Sequence, residues 1–193
     1  VPMDKINVTT VSAVATSATV VQAVIPEYQK SKAVIRRFSA LGNDAACAVN
    51  FYVPKACRAF RLPVALATAG TTLRIPVDAA GGHVFKGHTL ASTDLLCLLT
   101  PTGWKIVSAT YADNAGQTYC TATITAVGAI PANTVCYVVV PATDKIAGVP
   151  VIGAAQVSVE DLLSGDTGVP VVFDIVAASG KVTSAAALVE YWA

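Results

Sequence analysis

Residues 94–126 read DLLCLLTPTGWKIVSATYADNAGQTYCTATITA, and this stretch decides the fold class. An apolar run that begins after Asp94 ends at Pro101, a second run begins at Trp104, and a Thr-rich run follows the polar turn at Asp113. Short runs of this kind, separated by turn residues every ten to fifteen positions or so, are typical of antiparallel sandwiches and small barrels. The stretch therefore predicts an all-β fold with little helix.

The same alternation of strand-like runs and turn residues extends outward on both sides. Pro76 interrupts one run and so favours an edge strand there. The turn residues Ser179 and Gly180 separate two apolar runs and predict a C-terminal hairpin. The other predicted strands cover residues 34–38, 46–53, 60–67, 71–77 and 134–140.

The distribution of bulky side chains suggests three segments. Residues 1–33 are rich in Val, Thr, Ala and Ser but lack the large side chains that build a core, so they predict an extended N-terminal arm. Residues 34–150 predict a β-rich core domain. Residues 151–193 predict strands that pack on this core or on a neighbouring subunit.

The composition is apolar for a protein of this size. Hydrophobic residues make up 54% of the 193 residues and charged residues 13%, against about 25% charged in average soluble domains. Exposed apolar patches usually mark interaction surfaces, so this balance predicts contacts with other subunits. The net charge of +1 predicts no general attraction to nucleic acid or to a membrane surface.

Charges of opposite sign separate along the chain. Residues 30–74 carry eight basic side chains and one acid, whereas residues 144–193 carry six acids and two lysines. These halves could pair across a subunit interface, or they could be ordinary solvated faces. The candidate partner-contact residues are Arg36, Arg37, Lys55, Arg58, Arg61, Glu160 and Asp161.

A nucleic-acid patch is the alternative interpretation of the basic residues 55–61. Phe51, Tyr52 and Phe60 lie beside them, and basic residues interleaved with aromatics can bind phosphates and stack bases. These aromatics alternate as core residues do, which favours salt bridges to an acidic neighbour instead.

Catalytic chemistry has little support in the sequence. His83 and His88 lie in a Gly-rich stretch without nearby metal-ligand residues, which favours polar loop residues over a metal or acid–base pair. The run from Ser164 to Gly168 lacks EF-hand spacing and indicates a turn rather than a calcium loop. We therefore expect no enzymatic activity and no cofactor.

The five cysteines predict a chain without a disulfide framework, folded in a reducing cytosol. Cys97, Cys120 and Cys136 lie in strand-like runs, where a free cysteine behaves as a small core hydrophobe. Only Cys47 and Cys57 have a spacing that would allow a bridge. No signal-peptide pattern and no membrane span is apparent.

One segment resembles a known family. Gly87-His-Thr-Leu-Ala-Ser-Thr-Asp followed by Leu95–Leu99, then Gly103-Trp-Lys-Ile-Val and the final Ala129-Ile-Pro-Ala-Asn-Thr-Val, resembles the head decoration and cement proteins of tailed bacteriophages. The resemblance covers about 55 residues, from Gly87 to Val140. It contains no catalytic residues.

The resemblance implies a capsid-associated decoration protein that stabilises a phage head. Its partners would be the major capsid protein and copies of itself, as a trimer, on the virion exterior after assembly in the host cytoplasm. The alternative is an extracellular carbohydrate-binding or adhesin-like sandwich, for which Trp104, Tyr111 and Tyr119 are candidate sugar platforms. A third alternative, a small β-scaffold hydrolase or isomerase, would need a pocket at His83 or His88.

Overall fold

The computed structural model describes residues 5–17, 20–25, 28, 31–42, 44, 47–150, 157–164 and 168–192. Residues 5, 6, 20, 22, 23, 145–150 and 157–164 are described by their backbone alone. The chain divides into two compact units. Unit 1 comprises residues 1–54 and 143–193, and unit 2 comprises residues 55–142.

Nearly all the regular structure is strand, as the sequence predicts. The only helices among the described residues are one 3-10 turn, Ala56–Arg58, and one four-residue helix, α1, Pro141–Asp144. The strands of unit 1 are β1 Lys5–Thr16, β2 Val20–Ile25, β3 Lys32–Gly42, β4 Ala48–Tyr52, β13 Lys145–Pro150, β14 Val157–Ser164, β15 Val171–Val176 and β16 Val182–Trp192. Those of unit 2 are β5 Ala59–Arg61, β6 Thr72–Pro76, β7 Val84–Phe85, β8 His88–Thr89, β9 Leu95–Thr100, β10 Gly103–Ala112, β11 Tyr119–Ile124 and β12 Val135–Val139.

Unit 1 consists of two antiparallel sheets of four strands. The first sheet has the order β1-β16-β3-β14, and the second has the order β13-β4-β15-β2. When the eight strands of unit 1 are numbered 1 to 8 in chain order, the first sheet has the order 1-8-3-6 and the second has the order 5-4-7-2. This interleaved order, in which strands near the two chain ends pair, is that of an eight-stranded jelly roll.

Apolar side chains from both sheets fill the interior of unit 1. Phe38 on β3 meets Phe51 on β4 edge to face, with ring centroids 5.0 Å apart, and Phe51 meets Phe173 on β15 at 5.6 Å. All three rings are fully buried. Such aromatic pairs contribute about 0.5–1.5 kcal/mol each beyond their buried area. The Phe38–Phe51 pair joins the two sheets, whereas Phe51 and Phe173 are cross-strand neighbours within the second sheet.

A β-bulge at Arg36 resets the alternation of side chains in β3. Ala33 and Ile35 are buried before it, and Phe38 and Ala40 are buried after it, so the buried positions change from odd to even numbers. Strand β16, its neighbour, keeps strict alternation throughout. The register accordingly slips at this point, where Ile35 pairs with Val189 and Arg37 with Leu188, which leaves Arg36 as the extra residue.

The structure divides the chain differently from the three predicted segments. The N-terminal segment is a sheet strand, since β1 pairs with β16 from Lys5↔Trp192 to Thr16↔Val182. Ala15 and Ile25 contribute fully buried side chains to the core of unit 1. The segment lacks large side chains because its neighbours supply them: the Phe rings come from β3, β4 and β15.

The predicted C-terminal hairpin is wrong. β15 pairs with β2 and β4 in one sheet, whereas β16 pairs with β1 and β3 in the other. The turn at Ser179–Gly180, closed by Lys181 N donating to Ala178 O at 3.0 Å, carries the chain from one sheet to the other. The jelly-roll order requires this crossing, because the last strand lies between the first and the third.

Unit 2 is built on a six-stranded antiparallel sheet with the order β5-β12-β9-β10-β11-β6. Its two edge strands, β5 and β6, follow each other in the sequence and are connected by residues 62–71. Backbone hydrogen bonds from this connection to residues 124–134, including the reciprocal pair Leu66–Ile130, continue the ladder between them. The sheet therefore curls toward a barrel around a core that includes Leu96, Leu98 and Ile130.

A two-residue turn closes the small hairpin of β7 and β8 in unit 2. Lys86 and Gly87 have φ values of 49° and 77°, which both central positions of a type I′ turn require. The Asp78 carboxylate accepts hydrogen bonds from both of their backbone amides, at 2.8 and 2.7 Å. This cap holds Lys86 in a conformation that side-chain-bearing residues rarely adopt.

Candidate interaction surface

Arg36 forms its charge pair within the chain. Its Nε donates to Glu190 Oε2 at 2.7 Å, and its guanidinium lies 5.3 Å from the centre of the Trp192 ring. The side chains of Arg36 and Glu190 are 37% and 16% exposed. The basic segment 30–74 and the acidic segment 144–193 are therefore joined at this point inside unit 1.

The other predicted contacts of unit 1 lie on neighbouring strands of the same sheet. Arg37 is exposed on β3 and pairs in register with Glu160 of β14. Asp161 lies in the register shift that follows Glu160. This sheet therefore places four of the seven candidate residues, Arg36, Arg37, Glu160 and Asp161, on adjacent strands.

The remaining three candidates belong to unit 2. Lys55 precedes the 3-10 turn, Arg58 ends it, and Arg61 ends β5. Arg61 Nη1 donates to the backbone oxygen of Asn133 at 2.9 Å and so ties the end of β5 to the β11–β12 connection.

The aromatic residues near this basic group are core residues. Phe51, Tyr52 and Phe60 are all buried. Buried in this way, the three rings offer no stacking platform for bases.

An apolar surface lies on the outer side of β1, β3 and β16 in unit 1. Among the described residues, eight large hydrophobic side chains are exposed, and five of them point outward from β1, β3 and β16. We call this surface the outer face; its large members are Val8, Val14, Leu41, Val182 and Leu188.

Small residues form a hollow at the centre of the outer face. Val14, Ser184 and Leu41 form one cross-strand row, and Ser12, Ala186 and Ser39 form the next. The hollow along these rows has a volume of about 380 Å³. The outer face thus combines projecting Val and Leu side chains with a hollow lined by Ser and Ala. Apolar side chains of another surface can pack into this hollow.

The two histidines each contact a carboxylate in unit 2. His83 Nδ1 lies 2.5 Å from Asp113 Oδ1, and His88 Nε2 lies 2.7 Å from Asp94 Oδ2. Asp94 is 2% exposed and also accepts from the backbone amide of Ala91. Sequence reasoning missed both partners, although the six-residue separation of His88 and Asp94 was a usable signal.

These pairs do not extend into a metal-binding group. In the part of the chain that the structure describes, no three His, Cys, Asp or Glu side chains are placed to hold a metal ion. The predicted turn at 164–168 lies largely outside the described residues. Of the helices in the described ranges, none is long and apolar enough to span a membrane.

Burial shifts the ionisation of several groups in unit 2. It raises the pKa of the Cys120 and Cys136 thiols to about 11. It also raises the pKa of Tyr111, and the Asp94 charge adds to that effect. None of the five cysteines, all of which lie in the described ranges, is in a disulfide; only Cys57 is exposed, so the remaining four behave as core residues.

The aromatic residues considered for sugar binding are engaged elsewhere. Trp104 is 8% exposed and packs against Tyr137 with ring centroids 5.6 Å apart. The Tyr111 hydroxyl donates to the backbone oxygen of Asp94 at 3.2 Å. The Tyr119 ring is covered by the Arg74 guanidinium at 4.4 Å. None of these three rings presents an open face as a stacking platform.

Comparisons with known proteins leave the family open. No protein-family model and no curated protein matches the chain. Among solved structures, VP17, a capsid protein of bacteriophage P23-77, aligns over 100% of both chains with 9% identity and a TM-score of 0.24. The complex of the two major capsid proteins VP16 and VP17 of that phage aligns over 96% of this chain and 99% of the other, with 10% identity and a TM-score of 0.23.

A third similarity is to a subviral particle of infectious bursal disease virus VP2. It covers 96% of this chain and 41% of the other, with 11% identity and a TM-score of 0.15. TM-scores this low carry no argument about fold or function.

Proposed function

We propose that this chain is a non-enzymatic capsid protein of a virus and that it associates with other capsid subunits through the outer face. The observation that carries the proposal is the eight-stranded jelly roll of unit 1. Jelly rolls build viral capsids, lectin domains and cupins, so features beyond the fold must select among these functions.

The interior of unit 1 argues against a cupin-like site. Such a site needs polar or metal-binding side chains that converge inside the barrel. Here Phe38, Phe51, Phe173, Ile35 and Ile175 fill that space and are buried. A lectin-like function that stacks a sugar on an exposed aromatic ring is not supported, because the three candidate rings are buried, bonded or covered.

The surface supports an assembly role. Monomeric proteins rarely expose large contiguous apolar patches, and such patches mark interaction sites. The outer face gathers five of the eight exposed large hydrophobic residues among the described ones onto three adjacent strands. We propose another capsid subunit as its occupant, because a shell repeats the same contact between many copies of a few proteins.

Two positions in a capsid are compatible with this role. A shell-forming subunit is favoured by the jelly roll itself. A decoration or cement protein, bound as a trimer to the major capsid protein on the virion exterior, is favoured by the sequence resemblance. That resemblance, residues 87–140, lies entirely inside unit 2, so it does not describe the jelly roll. We therefore place the shell-forming role first.

Quantitative mass spectrometry of density-banded particles tests the proposal. We expect the chain in a fixed, high ratio to the other virion proteins. If particles form without the chain but lose stability, it is a decoration protein; if no particles form, it is a shell subunit. Absence of the chain from purified particles would contradict both.

Charged substitutions on the outer face test the proposed contact. Val14→Lys with Leu41→Lys places two charges beside the hollow, and we expect assembly to fall while the melting temperature of the isolated protein stays within a few degrees. Val84→Lys is the matched control, since Val84 is an exposed hydrophobic residue of unit 2. Equal assembly by all variants would contradict the proposal that the outer face contacts another capsid subunit.

A further inference from the structure

We propose that a pocket on unit 2 binds a small polyhydroxylated carboxylate, such as a hexuronic acid, with Arg74 as the anchor for the carboxylate. The pocket has a volume of about 410 Å³ and lies on the outward side of β6 and β11. This volume is within the range of about 300–1,000 Å³ that is usual for small-molecule sites. The proposal concerns unit 2 alone and is independent of the assembly role.

Strand register brings the polar groups of the pocket together. Arg74 pairs directly with Thr121, and Tyr119 lies two residues before Thr121 on the same side of β11. Leu73 and Ile75, on either side of Arg74, and Cys120, between Tyr119 and Thr121, are buried in the core of unit 2. Alternation therefore directs Arg74, Tyr119 and Thr121 outward onto one surface.

Arg74 is held in place but not neutralised. Its guanidinium lies 4.4 Å from the centre of the Tyr119 ring, a cation–π contact that orients the planar group. Among the described residues, no carboxylate is within salt-bridge distance of it. The guanidinium therefore retains a fork of N–H donors that matches the two oxygens of a carboxylate.

Asn114 and Thr121 supply oriented groups beside the arginine. The Asn114 amide nitrogen donates to Thr121 Oγ1 at 2.8 Å and to the backbone oxygen of Tyr119 at 3.3 Å. These bonds leave the Asn114 carbonyl oxygen to accept and the Thr121 hydroxyl proton to donate. A pair of fixed groups with both capacities suits the hydroxyls of a sugar ring.

The other residues that line the pocket, together with the single charge of Arg74, indicate the kind of ligand. Val64, 50% exposed, gives an apolar surface for the C–H face of a ring, and Thr72 adds a hydroxyl at the rim. One arginine provides one positive charge, which balances a monoanionic carboxylate better than a phosphate dianion. A carboxylated monosaccharide satisfies the charge, the hydroxyl groups and the apolar wall together.

Titration of the isotope-labelled full chain with sodium glucuronate, followed by amide NMR at constant ionic strength, tests the site. We expect saturable shifts at Arg74, Asn114 and Tyr119 with a dissociation constant of about 1 mM. Glucose, which lacks the carboxylate, and acetate, which lacks the hydroxyls, should each bind at least about tenfold more weakly. Inorganic phosphate should bind more weakly than glucuronate.

Arg74→Gln should weaken glucuronate binding by about tenfold or more, since it removes a charge-assisted bidentate contact. Arg61→Gln is the matched control: it removes an exposed arginine of unit 2 outside the pocket and should leave binding unchanged. Arg74→Lys keeps the charge without the fork and should weaken binding several-fold, which keeps the test valid if Arg74→Gln does not fold. Equal binding of glucose, acetate or phosphate, wild-type affinity in both Arg74 variants, or no saturation by about 20 mM glucuronate would overturn the proposal.

Discussion

At the scale of single residues, the Arg36–Glu190 pair joins positions that are far apart in the chain. Arg36 is the extra residue of the β3 bulge, and the bulge directs it outward toward Glu190 and Trp192. The same arginine was a candidate for contact with a partner. Its partner in this structure is the last strand of its own sheet, so its first role is in the stability of unit 1.

Glu190→Gln should lower the free energy of unfolding by about 1 kcal/mol. The partial burial of the ion pair strengthens the interaction, whereas its remaining contact with solvent keeps the effect small. Urea unfolding of the wild type, Glu190→Gln, Arg36→Gln and the double variant would give the coupling energy of the pair. A coupling energy of zero would mean that the pair does not stabilise the fold.

The buried thiols of unit 2 predict a pH dependence of stability. Cys120 and Cys136 have a pKa of about 11 in the folded chain against an ordinary value of 9.0. Between these values the unfolded chain releases thiol protons that the folded chain retains, so stability is fully present below pH 9 and falls as the pH rises toward 11. Tyr111, whose pKa is also raised by burial, extends the loss in the same direction.

Urea midpoints measured at about pH 8.5 and pH 10.5 test this dependence. The double variant Cys120→Ala with Cys136→Ala should show a smaller difference between the two midpoints than the wild type. Cys57→Ala should show the wild-type difference, because Cys57 is exposed. A double variant that loses as much stability as the wild type would assign the effect to other groups.

At the scale of elements, the β3 bulge lets both halves of one strand direct their apolar side chains into the core, although odd-numbered residues are buried before the bulge and even-numbered residues after it. Ile35 and Phe38 are both buried although they are three positions apart, an odd offset that puts two side chains on opposite faces of a regular strand. A continuous strand would direct one of the two halves toward solvent. One inserted residue is therefore a requirement of this sheet.

Deletion of Arg36 should prevent unit 1 from folding, because it forces either Ala33 and Ile35 or Phe38 and Ala40 out of the core. Exposing a buried Phe alone costs on the order of 3 kcal/mol, by comparison with Phe→Ala substitutions. Arg36→Ala keeps the residue count and should cost only about 1 kcal/mol. Near-ultraviolet circular dichroism and thermal unfolding would separate the two variants, and equal melting temperatures would contradict the bulge argument.

At the scale of the whole molecule, the chain enters and leaves unit 2 at neighbouring points of one ladder. Val53 N donates to the backbone oxygen of Asp144 at 2.8 Å, and Tyr52 pairs with Lys145. β4 and β13 are thus already adjacent where residues 55–142 are inserted between them. A hairpin turn can join such a pair directly.

Replacement of residues 55–142 by a short Gly-containing turn should leave unit 1 folded, and residues 55–142 expressed alone should fold as well. Each has its own buried core and its own sheets. Dispersed amide NMR spectra and cooperative thermal unfolding of each fragment would verify this. Collapse of either fragment to an unfolded spectrum would show that the two units depend on each other.

The sequence predicted the strands far better than their pairing. The runs after Asp94, Trp104 and Thr134 became β9, β10 and β12, because apolar content and turn residues are local signals. The pairing of β1 with β16 joins residues 5 and 192 and leaves no local trace. For the same reason the sequence predicts an extended arm where the structure has the first strand.

The residues of the candidate sites could be identified from the sequence, but their partners could not. The basic and acidic residues could be named from their types, but the partner of Arg36 depends on the bulge and on which strand lies beside β3. The Ser179–Gly180 turn has the residues of a hairpin, and only the sheet order shows that it crosses between sheets. The outer face could not be predicted, since it combines residues of β1, β3 and β16.

The pairing of Lys5 with Trp192 also sets an order of events during synthesis on the ribosome. Residues 55–142 emerge as one continuous stretch that contains every strand of its own sheet, so this unit can complete its fold while translation continues. Strands β1 to β4 emerge first but must wait for β13 to β16, whose long-range pairings close the largest loops in the chain. During that interval the apolar N-terminal strands are without their partners, and a nascent-chain chaperone that binds extended apolar segments would find its substrate there.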